Sequence, residues 1–210
     1  MSEREGFVEK LAEHRLLGIV RGTDADASIA TALTLAEEGV RLFEVSLTSA
    51  DALRVLREVR AAVGDDVELG AGTVLTAEQA DAALEHGATY IVTPAVAPSV
   101  AYSVGLGVPV VCGALTPTEV VTAVGLGVDA VKIFPANVAG PRYLKDLRAP
   151  FPDVPFVPVG GVGAQEVPEY LAHGAVAGGV ASPLCGDAPD GGDLEQLRGR
   201  ARTFLGQVAR

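Results

Sequence analysis

The chain is poor in the residues that build most metal and redox centres. It has two cysteines, Cys112 and Cys185, and three histidines in 210 residues. Two isolated cysteines give neither a disulfide framework nor a Cys-x-x-Cys spacing. With the histidines scattered, no ligand cluster is expected and metal is expected to be irrelevant. Basic residues are also scarce: 16 Lys and Arg stand against 27 Asp and Glu, a formal net charge of −11. That balance argues against nucleic acid or an anionic membrane as a partner, while leaving room for a small basic pocket. No apolar run reaches membrane-spanning length. The polar start, Met1 to Lys10, lacks the apolar core of a signal peptide. Neither Gly-x-Gly-x-x-Gly after a strand nor Gly-x-x-x-x-Gly-Lys-Ser/Thr occurs, so two common nucleotide-binding loops are missing. The expectation is a soluble, cytoplasmic protein with no membrane or nucleic-acid partner.

What the chain does have is alternation. Short apolar runs of strand type fall at Leu17–Val20, Leu42–Ser46, Glu68–Gly72, Tyr90–Thr93, Pro109–Cys112, Ala130–Phe134, Phe156–Val159 and Val176–Gly179. Ala/Leu/Glu-rich stretches of helix type separate them, one (Glu3–Glu13) precedes the first, and Asp193–Val208 closes the chain. Several of these helical stretches end in Gly-Val or Gly-Ala, as at Gly39, Gly87, Gly107, Gly127 and Gly174. Glycine suits the left-handed position after a helix. His86 and His173 sit just before two of these glycines, where they face the negative helix end. Continuous apolar strands fit a parallel sheet covered by helices. Eight such units predict one domain over residues 1–210, a single (β/α)8 barrel with an N-terminal helix. A doubly wound open sheet is the other arrangement of the same pattern.

In such a barrel the active site lies where the strands end. Lys132 sits in the apolar run Val131-Lys132-Ile133-Phe134-Pro135. Lysine is rarely buried without a reason. Burial disfavours an ammonium and leaves more neutral amine, the nucleophile that forms a Schiff base with a ketone. Glu44 lies in a second apolar strand and can supply the proton transfers that imine chemistry needs. The competing reading is a structural ion pair. Arg21, at the end of the first strand, suits a carboxylate or phosphate, or a surface pairing with Asp24 or Asp26. Gly160-Gly161 and Gly178-Gly179 lie where barrels hold phosphate on backbone N–H groups. Thr73 and Ser182 offer hydroxyls.

These residues fall in a familiar order. Ile19-Val20-Arg21-Gly22, Glu44-Val45-Ser46-Leu47, Gly70-Ala71-Gly72-Thr73-Val74, Ile91-Val92-Thr93-Pro94, Lys132-Ile133-Phe134-Pro135 and Val159-Gly160-Gly161-Val162 follow one another along the chain. In this the chain resembles the class I aldolases of 2-keto-3-deoxy-6-phosphosugar acids, from about Gly18 to Leu184. The resemblance implies a Schiff base on Lys132, with no other cofactor, and Glu44 as general acid/base. It implies Thr73 at the pyruvyl part of a small 2-ketoacid substrate, and Pro94 and Phe134 as pocket walls. It places Gly161, Gly179 and Ser182 at the phosphate end, and it implies a homotrimer without metal. The chain departs from the family pattern at two places. Thr48 stands where the phosphogluconate branch carries arginine, and Val180-Ala181 stands where hydroxyl- or glycine-bearing phosphate loops are usual. Val159-Gly160-Gly161-Val162 and Gly140-Pro141 are closer to the phosphogalactonate branch. Cleavage of 4-hydroxy-2-oxoglutarate, a phosphosugar isomerase or epimerase, and a non-catalytic phosphate-binding barrel are the alternatives.

Overall fold

A computed structural model describes Arg4 and Gly6 to Ala209. Eight strands, β1 (Leu16–Val20), β2 (Leu42–Ser46), β3 (Glu68–Gly72), β4 (Tyr90–Val92), β5 (Val110–Ala114), β6 (Ala130–Ile133), β7 (Phe156–Pro158) and β8 (Gly178–Val180), form one sheet. Its order is β7-β6-β5-β4-β3-β2-β1-β8, and every pairing is parallel. A parallel bridge from Val159 to Gly179 and a hydrogen bond from Val176 N–H to the Phe156 carbonyl join the last strand to its neighbour. The sheet is therefore the nearly closed barrel expected from the eight-fold alternation.

The helices are α1 (Phe7–His14), α2 (Ala25–Glu37), α3 (Ala52–Ala62), α4 (Ala77–Glu85), α5 (Pro98–Gly105) and α6 (Pro117–Gly125). They continue with α7 (Gly140–Arg148), α8 (Glu166–Ala172), the short α9 (Ser182–Cys185) and α10 (Leu194–Val208). Their starts are fixed by local chemistry. Thr76 and Thr116 each accept from the backbone three residues on, and Gln79 and Glu119 reach back, so α4 and α6 open on reciprocal capping boxes. Asp24 and Asp193 cap α2 and α10 in the simpler way. The helix-ending glycines Gly39, Gly87, Gly107, Gly127 and Gly174 all have positive φ. The expected opening helix over Glu3–Glu13 is found as α1; Glu3 and Glu5 lie outside the described residues. Among the described residues no helix is long and apolar enough to cross a membrane.

Period-two alternation divides the buried residues into two sets. Outward positions such as Val45, Leu69, Val131 and Phe156 pack beneath the helices. Inward positions such as Leu17, Leu42, Tyr90, Val111 and Val157 fill the barrel, together with Phe7 and Leu11 of α1. Helix α1 thus closes one end of the barrel. Phe7 is 2 % exposed and its ring centroid lies 4.8 Å from that of Tyr90.

Strands β2 and β3 have the expected limits, β1, β4, β6 and β7 differ by one residue at one end, and β5 and β8 differ more. Strand β5 runs on to Ala114, because Gly113 pairs with Lys132 and Ala114 with Ile133. Strand β8 is Gly178–Val180 rather than Val176–Gly179. The Gly178-Gly179 pair, expected at the end of the strand, opens it instead as part of the ladder to β1. Gly178 faces outward, where a Cβ would press on Val167 of α8, and Gly179 faces inward, where it would press on Val159. Both glycines are there for packing clearance.

Removing the plug should be costly. Phe7→Ala should lower stability by ~3–5 kcal/mol, the usual range for a fully buried phenylalanine. The readout is the urea midpoint at unchanged slope; a loss under 1 kcal/mol would mean that α1 does not brace the barrel.

Candidate active site

Lys132 and Glu44 are inward residues of β6 and β2. They are 5 % and 2 % exposed, yet both line one pocket at the strand ends, with a volume of about 320 Å³. They are not joined in a salt bridge among the described residues, which argues against the purely structural ion pair. Lys132 Nζ lies 5.1 Å from the centre of the Phe134 ring. That is within reach of a cation–π contact, and it sets the amine against an aromatic wall.

Absent side chains make the room for these groups. Glu44 leans across to β3, where a Cβ on Gly72 would overlap its Oε1. A Cβ on Gly113, the register partner of Lys132, would overlap the Pro94 carbonyl. Pro94 therefore lies directly on the strand beside the lysine. Thr93 holds that turn: its hydroxyl donates to the Ala95 carbonyl at 2.7 Å and accepts from Gly113 N–H at 3.3 Å.

The carboxyl of Glu44 titrates above the ordinary glutamate range. Burial raises it, and the positive charges of Lys132 and Arg21 oppose that rise without cancelling it. One oxygen, Oε2, is fully buried and has no hydrogen-bond partner in the protein.

A row of hydroxyls lies beside it. Ser46 Oγ is 3.1 Å from Thr73 Oγ1 and 2.8 Å from Thr48 Oγ1. Thr73 has φ of +61°, a left-handed conformation that is a genuine outlier for a β-branched residue. Its neighbours hold it there: the Gly72 carbonyl accepts from Leu47 N–H, and Val74 N–H donates to Val92. Such strain is of the order of 1–3 kcal/mol and is typical of functional positions.

Arg21 is exposed at the pocket rim. Asp24 caps α2 and Asp26 pairs with Arg54, so the surface pairing considered for Arg21 is not made. Gly160 (φ +100°) and Gly161 (φ +67°) form the loop after β7 and line the pocket, packed against Phe134, Pro135 and Asn137. Gly179 and the exposed Ser182 also line it. Gly178 does not: it faces Val167, away from the cavity, and is corrected to a packing position. Sequence reasoning left Ile19, Ser46, Val159, Val162, Ala181 and Pro183 out of the site, although all six line it. Ser46 and Glu44 are two apart in one strand, so alternation alone places them on the same face.

The histidines play no part: His86 and His173 turn Nδ1 to carbonyls of their own helices, at 2.7 and 2.8 Å. Cys185 is buried, with its thiol pushed up to about 12 by desolvation, and is chemically quiet. Among the described residues no His, Cys, Asp and Glu cluster could hold a metal ion.

A parallel barrel that opens on a buried lysine and a buried carboxyl, close but unpaired, belongs with the carbon–carbon lyases that work through an imine. Comparison with known proteins agrees. The family model "KDPG and KHG aldolase" matches residues 7–197. A 2-dehydro-3-deoxy-phosphogluconate aldolase of Treponema pallidum (strain Nichols) is 37 % identical over 170 residues, 79 % of each chain. A 2-dehydro-3-deoxy-6-phosphogalactonate aldolase of Escherichia coli (strain K12) is 36 % identical over 171 residues, 80 % of this chain and 83 % of the other. A solved native KDPGal structure superposes with a TM-score of 0.86 at 32 % identity, covering 91 % of this chain and 93 % of that one. The chain belongs to the KDPG and KHG aldolase family and is a class I aldolase.

The buried charge has a stability consequence. Because the folded carboxyl of Glu44 titrates above its unfolded value, its contribution is most favourable when protonated at low pH. It is lost as pH rises through the folded value. Glu44→Gln removes the charge at similar size. It should therefore have a higher urea midpoint than the wild type at pH 8, with the gap closing near pH 5. A gap that widens on acidification would contradict the placement of the charge.

Proposed function

We propose that this chain, as one catalytic domain over residues 1–210, cleaves a 2-keto-3-deoxy-6-phosphosugar acid to pyruvate and glyceraldehyde 3-phosphate. The observation that carries the residue assignment is that Lys132 and Glu44 are both nearly buried, line one cavity and are not paired. The neutral amine of Lys132 attacks the C2 ketone. Loss of water from the carbinolamine gives the protonated imine. Glu44 takes the proton of the C4 hydroxyl as the C3–C4 bond breaks, and the electron pair of that bond moves into the imine to give an enamine. The aldehyde leaves. Glu44 returns the proton to C3, and hydrolysis of the imine frees pyruvate and the lysine. The imine is the electron sink, so no further cofactor or metal enters.

Thr73 and Ser46 offer hydroxyls to the pyruvyl end, and Pro94 and Phe134 wall it. Backbone N–H groups around Gly160, Gly161 and Gly179, with Ser182, suit the phosphate end. Arg21 serves the substrate carboxylate: it is at the rim of the same pocket and has no ion-pair partner among the described residues. The curated relatives act on phosphogluconate- and phosphogalactonate-type acids by name. Thr48 in place of arginine favours the phosphogalactonate type. The family resemblance further supports a homotrimer, and the composition a cytoplasmic location.

Lys132→Ala and Lys132→Arg should both lose aldol cleavage and trapping of pyruvate by borohydride, since a guanidinium forms no imine. Near-wild-type turnover in Lys132→Ala would end this reading. Glu44→Gln should lose roughly 10²–10⁴-fold in rate while still trapping pyruvate. Arg21→Ala should weaken every 2-ketoacid alike, by about 1.5–3 kcal/mol for a lost charged hydrogen bond. If only phosphorylated substrates suffer, Arg21 belongs to the phosphate.

A further inference from the structure

Glu44 is flanked by a second buried polar group that the reaction has not yet used. Tyr90, inward on β4, is fully buried, and its hydroxyl has no hydrogen-bond partner in the protein. The register sets Glu44, Gly70 and Tyr90 side by side on β2, β3 and β4. Gly70 has no side chain, and the Tyr90 ring lies across it. Of the ring atoms, Cζ, the carbon that carries the hydroxyl, comes nearest the place a Cβ would occupy. Glu44 reaches over the same strand from the other side, with Oε1 against Gly72. Positions 70 and 72 are neighbours on one face of a strand, about 7 Å apart. The phenol and the carboxylate therefore converge over two adjacent glycines. One brings a buried donor, and the other a buried acceptor, Oε2, without a partner.

We propose that Tyr90 is a positioning residue for the aldol chemistry: its hydroxyl donates to the inner oxygen of the Glu44 carboxylate across one bound water. A single polar bridge satisfies two buried groups that are each costly to leave alone. A water with such partners is an ordinary part of a protein interior. The phenol is suited to donate, because burial above all, with Glu44 and Glu68 adding to it, keeps Tyr90 protonated well past the usual tyrosine range. The other charged groups are accounted for. Lys132 from β6 and Arg21 from the end of β1 act on Glu44. Glu68 on β3 is paired to Lys10 of α1 and accepts from Thr89. A donor on the ionised form favours that form. Tyr90 would thus oppose part of the burial penalty and hold the carboxyl within range of both of its protonation states.

This inference rests on Glu44 being the acid/base group, and the test separates the two. Tyr90→Phe keeps the ring over Gly70 and removes only the hydroxyl. The acidic limb of its kcat/KM profile should move up by about one pH unit, a loss of about tenfold below the limb. The 13C resonance of the Glu44 carboxyl, assigned by its disappearance in Glu44→Gln, should titrate higher by the same amount. Tyr90→Leu should shift both readouts in the same direction. A Glu44 resonance that titrates unchanged in folded Tyr90→Phe overturns the proposal. If instead Glu44→Gln keeps the acidic limb, the acid/base assignment fails, and the carboxyl titration still decides whether Tyr90 bonds to Glu44.

Discussion

The site depends on two opposite charges being buried close together without touching. A direct ion pair would hold an ammonium and a carboxylate in their charged forms. An amine so held does not attack a carbonyl, and a carboxylate so held is a poor carrier of protons. The barrel prevents the pairing by shape. Glu44 is drawn sideways onto β3 by the bare surface of Gly72, and Lys132 is turned toward the Phe134 ring. The glycines at inward positions 70, 72 and 113 make this possible. A methyl at any of them would overlap Tyr90, Glu44 or Pro94. Each gives up side-chain packing in return for the placement of a neighbouring functional group.

Much of the fold was legible in the sequence because the physical signals there are local. Apolar runs of strand length, capping residues such as Thr116 with Glu119, and glycines after helices each act over a few residues. Eight repetitions of the unit then leave few topologies. What misled was glycine, whose local signal has two meanings. Gly160-Gly161 read as a loop and is one, with positive φ at both residues. Gly178-Gly179 carries the same local text, but Gly178 faces Val167 under α8 and only Gly179 faces the cavity, beside Val159. Nothing within a few residues of Gly178 states what will pack on it. That information lies 11 residues upstream of Gly178 for Val167 and 20 upstream of Gly179 for Val159, and is assembled only by the barrel.

The site was legible to a similar degree and for a similar reason. Lys132 and Glu44 stand out because a charge in an apolar strand is a local contradiction. Ser46 does not stand out, since a serine at a strand end is ordinary, yet alternation from Glu44 would have placed it in the cavity. Tyr90 is hidden still better. Tyrosine is a normal strand residue, and its ring packs on Phe7 as any core aromatic would. Only the pairing of β2, β3 and β4 reveals that its ring lies over Gly70, in register with Glu44.

The same geometry assigns different tasks to the two ends of the barrel. At one end, Phe7, Leu11, Leu17 and Leu42 form an apolar floor closed by α1. At the other, the strands end in Thr73, Pro94, Lys132 and Gly160, and the pocket opens to solvent. Glu44 lines that pocket, while Tyr90, across Gly70 from it in the register, packs with the floor residues. A carboxyl in the floor would stay protonated and idle, and one at the rim would behave as in water. Nearly buried in the pocket wall, Glu44 is desolvated enough to titrate high, but it still feels Lys132 and Arg21. Its depth in the barrel is therefore the variable that tunes it. That depth is fixed by the register of β2 against β3, so a slip of one residue there would turn Glu44 out among the helices.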